Sequence, residues 1–268
     1  MTTTTLRLGG LSTRTLAELL LAPYGAFEPV VLRGALERPE EFFGEEVERQ
    51  VAASDGMRAM VALFREQALV RREDEPASYK PQGIFASLDA GAAAQFRGLQ
   101  RTPGPLREFC LELHELGNGA WETVQAIGLD TQPGEPALGL HNDPYGVIGA
   151  QTRRNATGEG AAKQWTLYRP PWATEEEARA AYLARSKKSR ESGRPTYFNP
   201  ADLEPWGEVV LSSTDAMVVP PYYPHFVKGV GQKGSGPRSY SISVSGVNAD
   251  LFEQYGEEPS LSLALIDS

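Results

Sequence analysis

The chain has 268 residues, 41% of them hydrophobic and 9% aromatic, and its formal net charge is −9. These proportions are ordinary for a folded globular protein and exclude a disordered or fibrous chain, while the length suits one domain better than two complete enzyme domains. The negative charge disfavours binding to phosphate backbones, so we expect no nucleic-acid partner.

Cysteine content and the first residues bear on where the protein works. Its single cysteine, Cys110, cannot form an internal disulfide or a cysteine-rich zinc site, which fits a reducing compartment. Residues 1–10 lack the basic and apolar regions of a secretory signal, and no window approaches the roughly eighteen apolar residues of a membrane span. We therefore expect a cytoplasmic protein that is not embedded in a membrane.

Residues 1–119 are expected to form a mainly helical first part. Ser12 precedes leucines at helical spacing, which predicts a helix capped by a hydroxyl group. The β-branched run 29–32 predicts a short buried strand. Apolar stripes then predict one helix over 39–52 and another over 105–116.

The second half of the chain has a different pattern. Short alternating runs separated by Gly, Pro, Asn and Asp predict antiparallel strands, so 120–250 is expected to be the core of a β-barrel. The exception is 173–190, whose Ala, Glu and Lys content predicts a helix within an insertion, 172–206. Residues 251–268 follow as a C-terminal segment, and the chain 1–268 is expected to be a single domain.

The predicted helix of the insertion carries a basic cluster. Its members are Arg185, Lys187, Lys188 and Arg190. Because the same run contains several glutamates, the cluster is interpreted as a solvated helical face without a binding role.

The segment 138–150, LGLHNDPYGVIGA, places His141 and Asp143 two residues apart. On a strand, residues at that spacing point to the same face. An imidazole and a carboxylate that project together can occupy two adjacent positions of an octahedral metal ion, and one further ligand would complete a facial triad. The third candidate is His225, in the strand-like run VVPPYYPHFV, whose prolines force extended backbone. As a returning antiparallel strand, this run could bring His225 beside Asp143. The remaining histidine, His114, is interpreted as a surface or packing residue.

Four stretches of the second half together resemble a known family. The order and local residue pattern of these stretches resemble those of the cupin-like JmjC family of 2-oxoglutarate oxygenases. The stretches are HNDPYGVIGAQ, KQWTLYRPP, VVPPYYPHFV and RSYSISVS. The resemblance implies a double-stranded β-helix of the cupin or jelly-roll type, mainly β, with N-terminal helices and a helical insertion. It also implies that His141, Asp143 and His225 bind iron.

The same resemblance assigns residues to the cosubstrate. Family members carry a Lys or Arg that pairs with the 5-carboxylate of 2-oxoglutarate, which implies this role for Lys163, and a dianion inside a barrel needs such a cation. Arg238 competes for the role, since related oxygenases outside the family place an Arg after the last histidine. Ser245, where the family usually has Asn or a small polar residue, is a further candidate contact with the cosubstrate. Tyr145 is a candidate for cosubstrate or substrate contact, or for core packing.

The activity implied is that of an Fe(II)- and 2-oxoglutarate-dependent dioxygenase that uses O₂ to hydroxylate an unactivated C–H bond, giving succinate and CO₂. The substrate is expected to be a small molecule, an amino acid or a peptide. Two alternatives stay open: a metal-binding cupin enzyme that does not use 2-oxoglutarate, and a non-catalytic JmjC-like binding module. Whether the insertion covers the active site, and whether the chain forms a homodimer, also stay open.

Overall fold

The computed structural model describes residues 11–36, 42, 61–65, 68–71, 93–96, 98–134, 136, 138–152, 162–192, 196–232 and 239–247. Apart from Phe42, the helix predicted over 39–52 lies outside the described residues. So do the C-terminal segment 251–268 and Arg238. That the whole chain forms one domain stays a prediction.

The described chain is mostly β with a few helices, as the sequence predicts. The α-helices are α1 Thr13–Leu20, α2 Pro105–Gly117 and α3 Glu175–Ser192. Short 3-10 turns lie at Leu99–Arg101 and Pro200–Asp202. The strands are β1 Val30–Leu32, β2 Val61–Arg65, β3 Ala68–Arg71, β4 Ala93–Phe96, β5 Thr123–Thr131, β6 Val147–Thr152, β7 Lys163–Tyr168, β8 Pro205–Leu211, β9 Ala216–Val219, β10 His225–Gly229 and β11 Ser239–Val247.

These strands form two antiparallel sheets. The large sheet has the order β1-β9-β6-β11-β5-β4-β2-β3, and the small sheet has the order β10-β7-β8. The longest pairing joins β11 to β5 along nine residue pairs, from Ser239 opposite Thr131 to Val247 opposite Thr123. Two antiparallel sheets with non-consecutive neighbours give a jelly-roll-like arrangement.

The first helix and the first strand agree with the sequence. Ser12 Oγ accepts a hydrogen bond from the backbone N–H of Thr15 at 3.1 Å, so it caps α1 as its position predicts. The strand predicted over 29–32 is β1, which pairs with β9 at the edge of the large sheet. The helix predicted over 105–116 is α2, which begins with Pro105.

The described residues of the first part, 1–119, include strands that the sequence does not predict. Three strands, β2, β3 and β4, lie within it and extend the large sheet beyond β5. The sequence did not reveal them because their apolar runs are only about four residues long, which fits a strand as well as a helical turn. In the fold β4 pairs with β5, β2 with β4 and β3 with β2, so pairing between distant segments decides the outcome.

The large sheet has two different faces because side chains alternate along each strand. On β11, Tyr240, Ile242 and Val244 pack into the main hydrophobic core, which α1 and α2 cover. The alternate positions, including Ser241 and Ser245, face the opposite way, towards the small sheet.

A second, smaller core fills the space between the sheets. Its buried residues include Trp165 and Leu167 of β7 and Met217 and Val219 of β9. The site described below lies in this layer, whereas α1 and α2 pack on the other face of the large sheet.

The predicted insertion contains α3, which starts and ends within two residues of the predicted helix. The strand β8 begins at Pro205, so the insertion returns to the small sheet slightly before its predicted end. Among the described helices, none is both long and apolar enough to cross a membrane.

Candidate metal centre

Three side chains with metal-binding atoms converge between the sheets. His141 and Asp143 lie in the connection that precedes β6, and His225 is the first residue of β10. One ligand atom from each can be chosen so that all three lie within 4.8 Å of one another. The closest measured approach is 3.7 Å, between His225 Nε2 and Asp143 Oδ2. The expected grouping of these three residues is therefore present.

The backbone fixes the two histidines as a pair. The N–H of His225 donates to the carbonyl of His141 at 2.7 Å, and the N–H of His141 donates to the carbonyl of His225 at 3.1 Å. This reciprocal bridge brings the two imidazole centroids to 4.6 Å. The pairing is isolated rather than part of a strand, so His141 and Asp143 do not lie on the regular strand that the sequence predicts.

Each imidazole also has its Nδ1 engaged by a neighbouring carbonyl oxygen. His141 Nδ1 lies 2.8 Å from the carbonyl oxygen of Gly139, and His225 Nδ1 lies 2.9 Å from that of Tyr223. A carbonyl can only accept, so each Nδ1 donates and carries the proton in the neutral ring. Each Nε2 then presents a lone pair, which is the arrangement found in metal-binding histidines.

Burial keeps His225 neutral. Only 4% of the residue is exposed, and the Trp165 ring stacks on its imidazole with centroids 5.6 Å apart. The pKa of His225 is lowered to about 4, first by burial and then by His141, while Asp143 and the hydrogen bond to Tyr223 act in the opposite direction. At neutral pH this imidazole can therefore bind a metal without first losing a proton.

The turn before β10 ties the two halves of the triad together. Tyr222 has a positive φ of 61°, which is uncommon for a residue with a bulky side chain. Its N–H donates to the carbonyl of Asp143 at 2.7 Å, and its own carbonyl accepts from Asn142 Nδ2 at 3.1 Å. The prolines around Tyr222 and these two bonds hold the turn in a conformation that presents His225 opposite Asp143.

Lys163 lies in the same layer. It is the first residue of β7 and only 1% exposed, and its Nζ donates to Ser241 Oγ at 2.7 Å and to the carbonyl of Leu129 at 3.3 Å. The side chain therefore points from the small sheet across to the large one. Trp165, two residues along the same strand face, lies between Lys163 and His225.

The other sequence candidates occupy one end of this layer. Ser245 is buried and sits opposite Gln125 in the register of β11 and β5. Gln125 Nε2 donates to the Tyr145 hydroxyl at 2.9 Å. Tyr145 therefore contacts the residue that lies opposite Ser245 in the large sheet, although the segment that carries Tyr145 is not a regular strand. Arg238, the alternative anchor, lies outside the described residues.

The insertion also reaches the site, through Arg185 of α3. Arg185 donates to Asn142 Oδ1, and its guanidinium carbon lies 3.8 Å from the centre of the Phe198 ring. The interpretation of the basic cluster as a wholly solvated face is therefore wrong at this position. By contrast, Lys187 is exposed and approaches Glu191 at 3.9 Å across one helical turn, as a solvated face would.

Sequence reasoning missed Ser241, Gln125 and Arg185. The alternation of serines in SYSISVS could have indicated Ser241, because Ser241 and Ser245 must face the same way on a strand. For Arg185 the sequence holds no such signal, since the contact depends on how α3 folds back over the loop that carries Asn142.

Taken together, the fold and the site define a mostly β protein of two antiparallel sheets with a His-Asp-His metal site between them. This ligand set is the facial triad that typifies mononuclear non-haem iron oxygenases.

Comparisons with known proteins add the following. No protein-family model matches the chain, and no curated protein sequence matches it. Among solved structures, one match is YcfD, a ribosomal oxygenase from Escherichia coli, with 14% identity, a TM-score of 0.48, and coverage of 87% of this chain and 54% of that one. The complex of YcfD with cobalt and 2-oxoglutarate matches with 14% identity, a TM-score of 0.47, and coverage of 87% and 56%. The complex with cobalt and succinic acid has 13% identity, a TM-score of 0.47, and coverage of 84% and 50%.

The chain thus spans about half the length of the solved structures that it matches. Because the identities and TM-scores are low, the activity of this chain has to be inferred from its own site.

Proposed function

We propose that the protein is an Fe(II)- and 2-oxoglutarate-dependent dioxygenase built on a double-stranded β-helix, which hydroxylates a C–H bond of a small molecule, an amino acid or a peptide. The observation that carries the proposal is the convergence of His141, Asp143 and His225, with the buried Lys163 on β7, the strand that pairs with the strand of His225. A metal site alone would fit several enzyme classes. A metal site with a buried cation beside it fits a chelating, doubly charged cosubstrate.

The three ligand atoms suit an octahedral ion. Two ligands at right angles, each about 2.1 Å from the ion, lie about 3 Å apart. The separation of 3.7 Å between His225 Nε2 and Asp143 Oδ2 is within a small side-chain adjustment of that value. Two neutral imidazoles and one carboxylate would occupy one face of the ion and leave three positions for other ligands. Iron held there would supply the O₂ activation and oxidising power of the reaction.

Lys163 is proposed as the anchor of the cosubstrate. 2-Oxoglutarate has two carboxylates, and inside the protein both need cationic or hydrogen-bonding partners. The metal would bind only one of them. Nζ of Lys163 is held by Ser241 Oγ and the Leu129 carbonyl, so its position is set before any ligand arrives. Ser241 can donate its hydroxyl proton to the same carboxylate, and we add it to the expected contacts.

Ser245 and Tyr145 are proposed as walls of the same space. The hydrogen bond from Gln125 Nε2 holds the Tyr145 hydroxyl in place at 2.9 Å. Ser245 faces the same layer by the alternation of β11. Their contribution is to orient ligands rather than to exchange protons with them.

The test is succinate release from 2-oxoglutarate by protein loaded anaerobically with Fe(II) and then given O₂. We expect turnover in the wild-type protein, loss in His225→Ala, and a much higher requirement for 2-oxoglutarate in Lys163→Ala. His114→Ala is the matched control for histidine loss, because His114 lies on α2, on the far side of the large sheet. Equal turnover in His225→Ala and His114→Ala would contradict the ligand assignment.

Two outcomes point to the alternatives. Tight metal binding without any 2-oxoglutarate-dependent absorption band on the anaerobic Fe(II) protein would favour a metal cupin enzyme that does not use this cosubstrate. Failure to bind divalent metal at all would favour a non-catalytic binding module.

A further inference from the structure

Arg185 occupies an unusual place for a residue in a charged surface helix. Its guanidinium lies over the Phe198 ring at 3.8 Å, with the Tyr182 ring 5.7 Å away on its own helix. It donates to Asn142 Oδ1, and Asn142 stands between the ligands His141 and Asp143 in sequence. The cation therefore sits at the edge of the metal site, on the side covered by the insertion.

The insertion is attached to the metal site at several points. The N–H of Phe198 donates to the carbonyl of Leu140 at 2.8 Å, beside the first ligand. The Tyr182 ring packs edge-on against Tyr222, with centroids 6.3 Å apart. Trp172 lies 6.0 Å from Phe198 on the other side. Two of these rings, Phe198 and Tyr182, also lie against the Arg185 guanidinium, so the insertion packs on the metal-site segment through aromatic side chains.

No carboxylate among the residues that the structure describes forms an ion pair with Arg185. Among the described residues its hydrogen-bond acceptor is the amide oxygen of Asn142, although a guanidinium offers five N–H donors. Burial lowers the pKa of Arg185 to about 10, while Tyr182 and Asp143 act to raise it, so the group stays charged at neutral pH. The carboxylate that acts on Arg185 is that of Asp143, which a bound metal would engage, so the half-buried guanidinium favours a further anion supplied by a ligand.

We propose that α3 is the substrate-recognition element of this site and that Arg185 binds a carboxylate of the substrate to be hydroxylated. The inference rests on the proposed function and narrows its substrate to one that carries a carboxylate near an apolar or aromatic body. A planar guanidinium matches a carboxylate with two parallel hydrogen bonds, and the rings of Phe198 and Tyr182 would contact the adjoining carbon skeleton.

The cosubstrate is a second possible source of the carboxylate that Arg185 would bind. The different positions of Lys163 and Arg185 distinguish the cosubstrate from the substrate. Lys163 approaches from β7, between the sheets, where Ser241 and Leu129 hold it. Arg185 approaches from α3, outside the loop that carries Asn142. In the proposed function Lys163 binds the far carboxylate of 2-oxoglutarate. Arg185 is therefore assigned to the substrate that is hydroxylated.

The experiment measures binding rather than turnover. Metal-free protein, and protein loaded with Mn(II) and saturating 2-oxoglutarate, are titrated calorimetrically with N-acetyl derivatives of the common amino acids. Each acid is paired with its neutral N-acetyl amide. We expect at least one acid to bind in preference to its amide, and its affinity to fall about 10- to 100-fold in Arg185→Gln, the range for losing a hydrogen bond to a charged group. Arg185→Lys keeps the charge but loses the pair of parallel N–H donors, so its affinity for the acid should lie between those of the wild-type protein and Arg185→Gln.

Lys187→Gln is the matched control, because it removes one positive charge from an exposed position of the same helix. The proposal is overturned if no acid binds, if acids and amides bind equally, or if Arg185→Gln binds like Lys187→Gln. It is also overturned if Arg185→Gln weakens 2-oxoglutarate itself as strongly as Lys163→Ala does, since the carboxylate would then belong to the cosubstrate.

Failure of the proposed function gives a different pattern. Arg185-dependent binding of acids to the metal-free protein, with no binding of Mn(II) or 2-oxoglutarate, would remove the oxygenase while leaving the carboxylate site in place.

Discussion

Replacing Gly149 by alanine tests whether the packing of the two sheets sets the metal site. Gly149 lies on β6, opposite the Trp165 ring. A methyl group there would lie 2.5 Å from Trp165 Cη2 and 2.6 Å from Cζ2. Carbon atoms in contact prefer about 3.5 Å or more, so the ring must move by roughly 1 Å. Because that ring stacks on His225, with an interplanar angle of 23°, the movement is passed directly to a metal ligand.

The expected effects follow from this geometry. Overpacking of a close-packed core costs about 1–3 kcal/mol, and we expect the free energy of unfolding of Gly149→Ala to fall by that amount. Displacing a side chain that orients a metal ligand lowers metal affinity by about 10- to 100-fold, and we expect a Co(II) dissociation constant raised within this range.

Urea denaturation measures the first quantity, and titration of the metal-free protein with Co(II), followed by its visible absorption, measures the second. Gly207→Ala on β8 is the matched control, since a methyl group there meets nothing within 4 Å. Adding Trp165→Phe to Gly149→Ala replaces the clashing indole by a smaller phenyl ring and should restore part of both losses. If Gly149→Ala behaves like Gly207→Ala, the stacked Trp165 does not control His225 and the reasoning fails.

Three further predictions concern single side chains. Lys163→Met should raise the concentration of 2-oxoglutarate needed for half-maximal binding to the Mn(II) protein by about tenfold or more, whereas Lys187→Met should leave it unchanged; calorimetry decides between them. Asn142→Ala should weaken Co(II) binding by about tenfold, because the bond to the turn before β10 is lost, and an unaltered dissociation constant would contradict that role. Asp215→Asn should destabilise the fold by about 1–3 kcal/mol at neutral pH in urea denaturation. Burial alone would raise the pKa of Asp215, but hydrogen bonds from Gly34, Ser212 and Arg33 outweigh it and lower the pKa. The stability from Asp215 is therefore complete above the ordinary carboxyl pKa and lost as pH falls through the lowered one, so Asp215→Asn should flatten the acid limb of the stability profile.

Much of the site could be predicted because it depends on residues that lie close together in the sequence. His141 and Asp143 are two residues apart. The proline-rich run 218–227 is predicted to be strand-like throughout, but a turn at 220–224 separates β9 from β10, so only the strand that begins at His225 agrees with the prediction. The grouping of the three residues then follows from one antiparallel return. The capped helix α1 and the helix α3 were predictable for the same reason, since their patterns are complete within one segment.

The remaining features depend on contacts between distant segments. Tyr222 adopts a positive φ because its N–H and carbonyl are both bonded to the segment from Asn142 to Asp143, and nothing in the local sequence requires it. The strands β2 to β4 form by pairing with one another and, through β4, with β5. Arg185 looks like its neighbours in sequence, and only the fold of the insertion separates it from the exposed Lys187.

The formal charges of the site connect the two proposals. A divalent metal beside Asp143 leaves one positive charge, and Lys163 and Arg185 each add another. A buried or half-buried layer does not retain such an excess without anions. The 2-oxoglutarate dianion would neutralise two of these charges, and one charge, on the side of α3, would remain. A substrate with a single carboxylate would complete the balance, whereas a neutral or cationic substrate would leave the guanidinium of Arg185 enclosed and uncompensated. Among the expected substrates, peptides with a free C-terminal carboxylate, N-acylated amino acids and other monocarboxylates without an ammonium group are therefore the first to be tested.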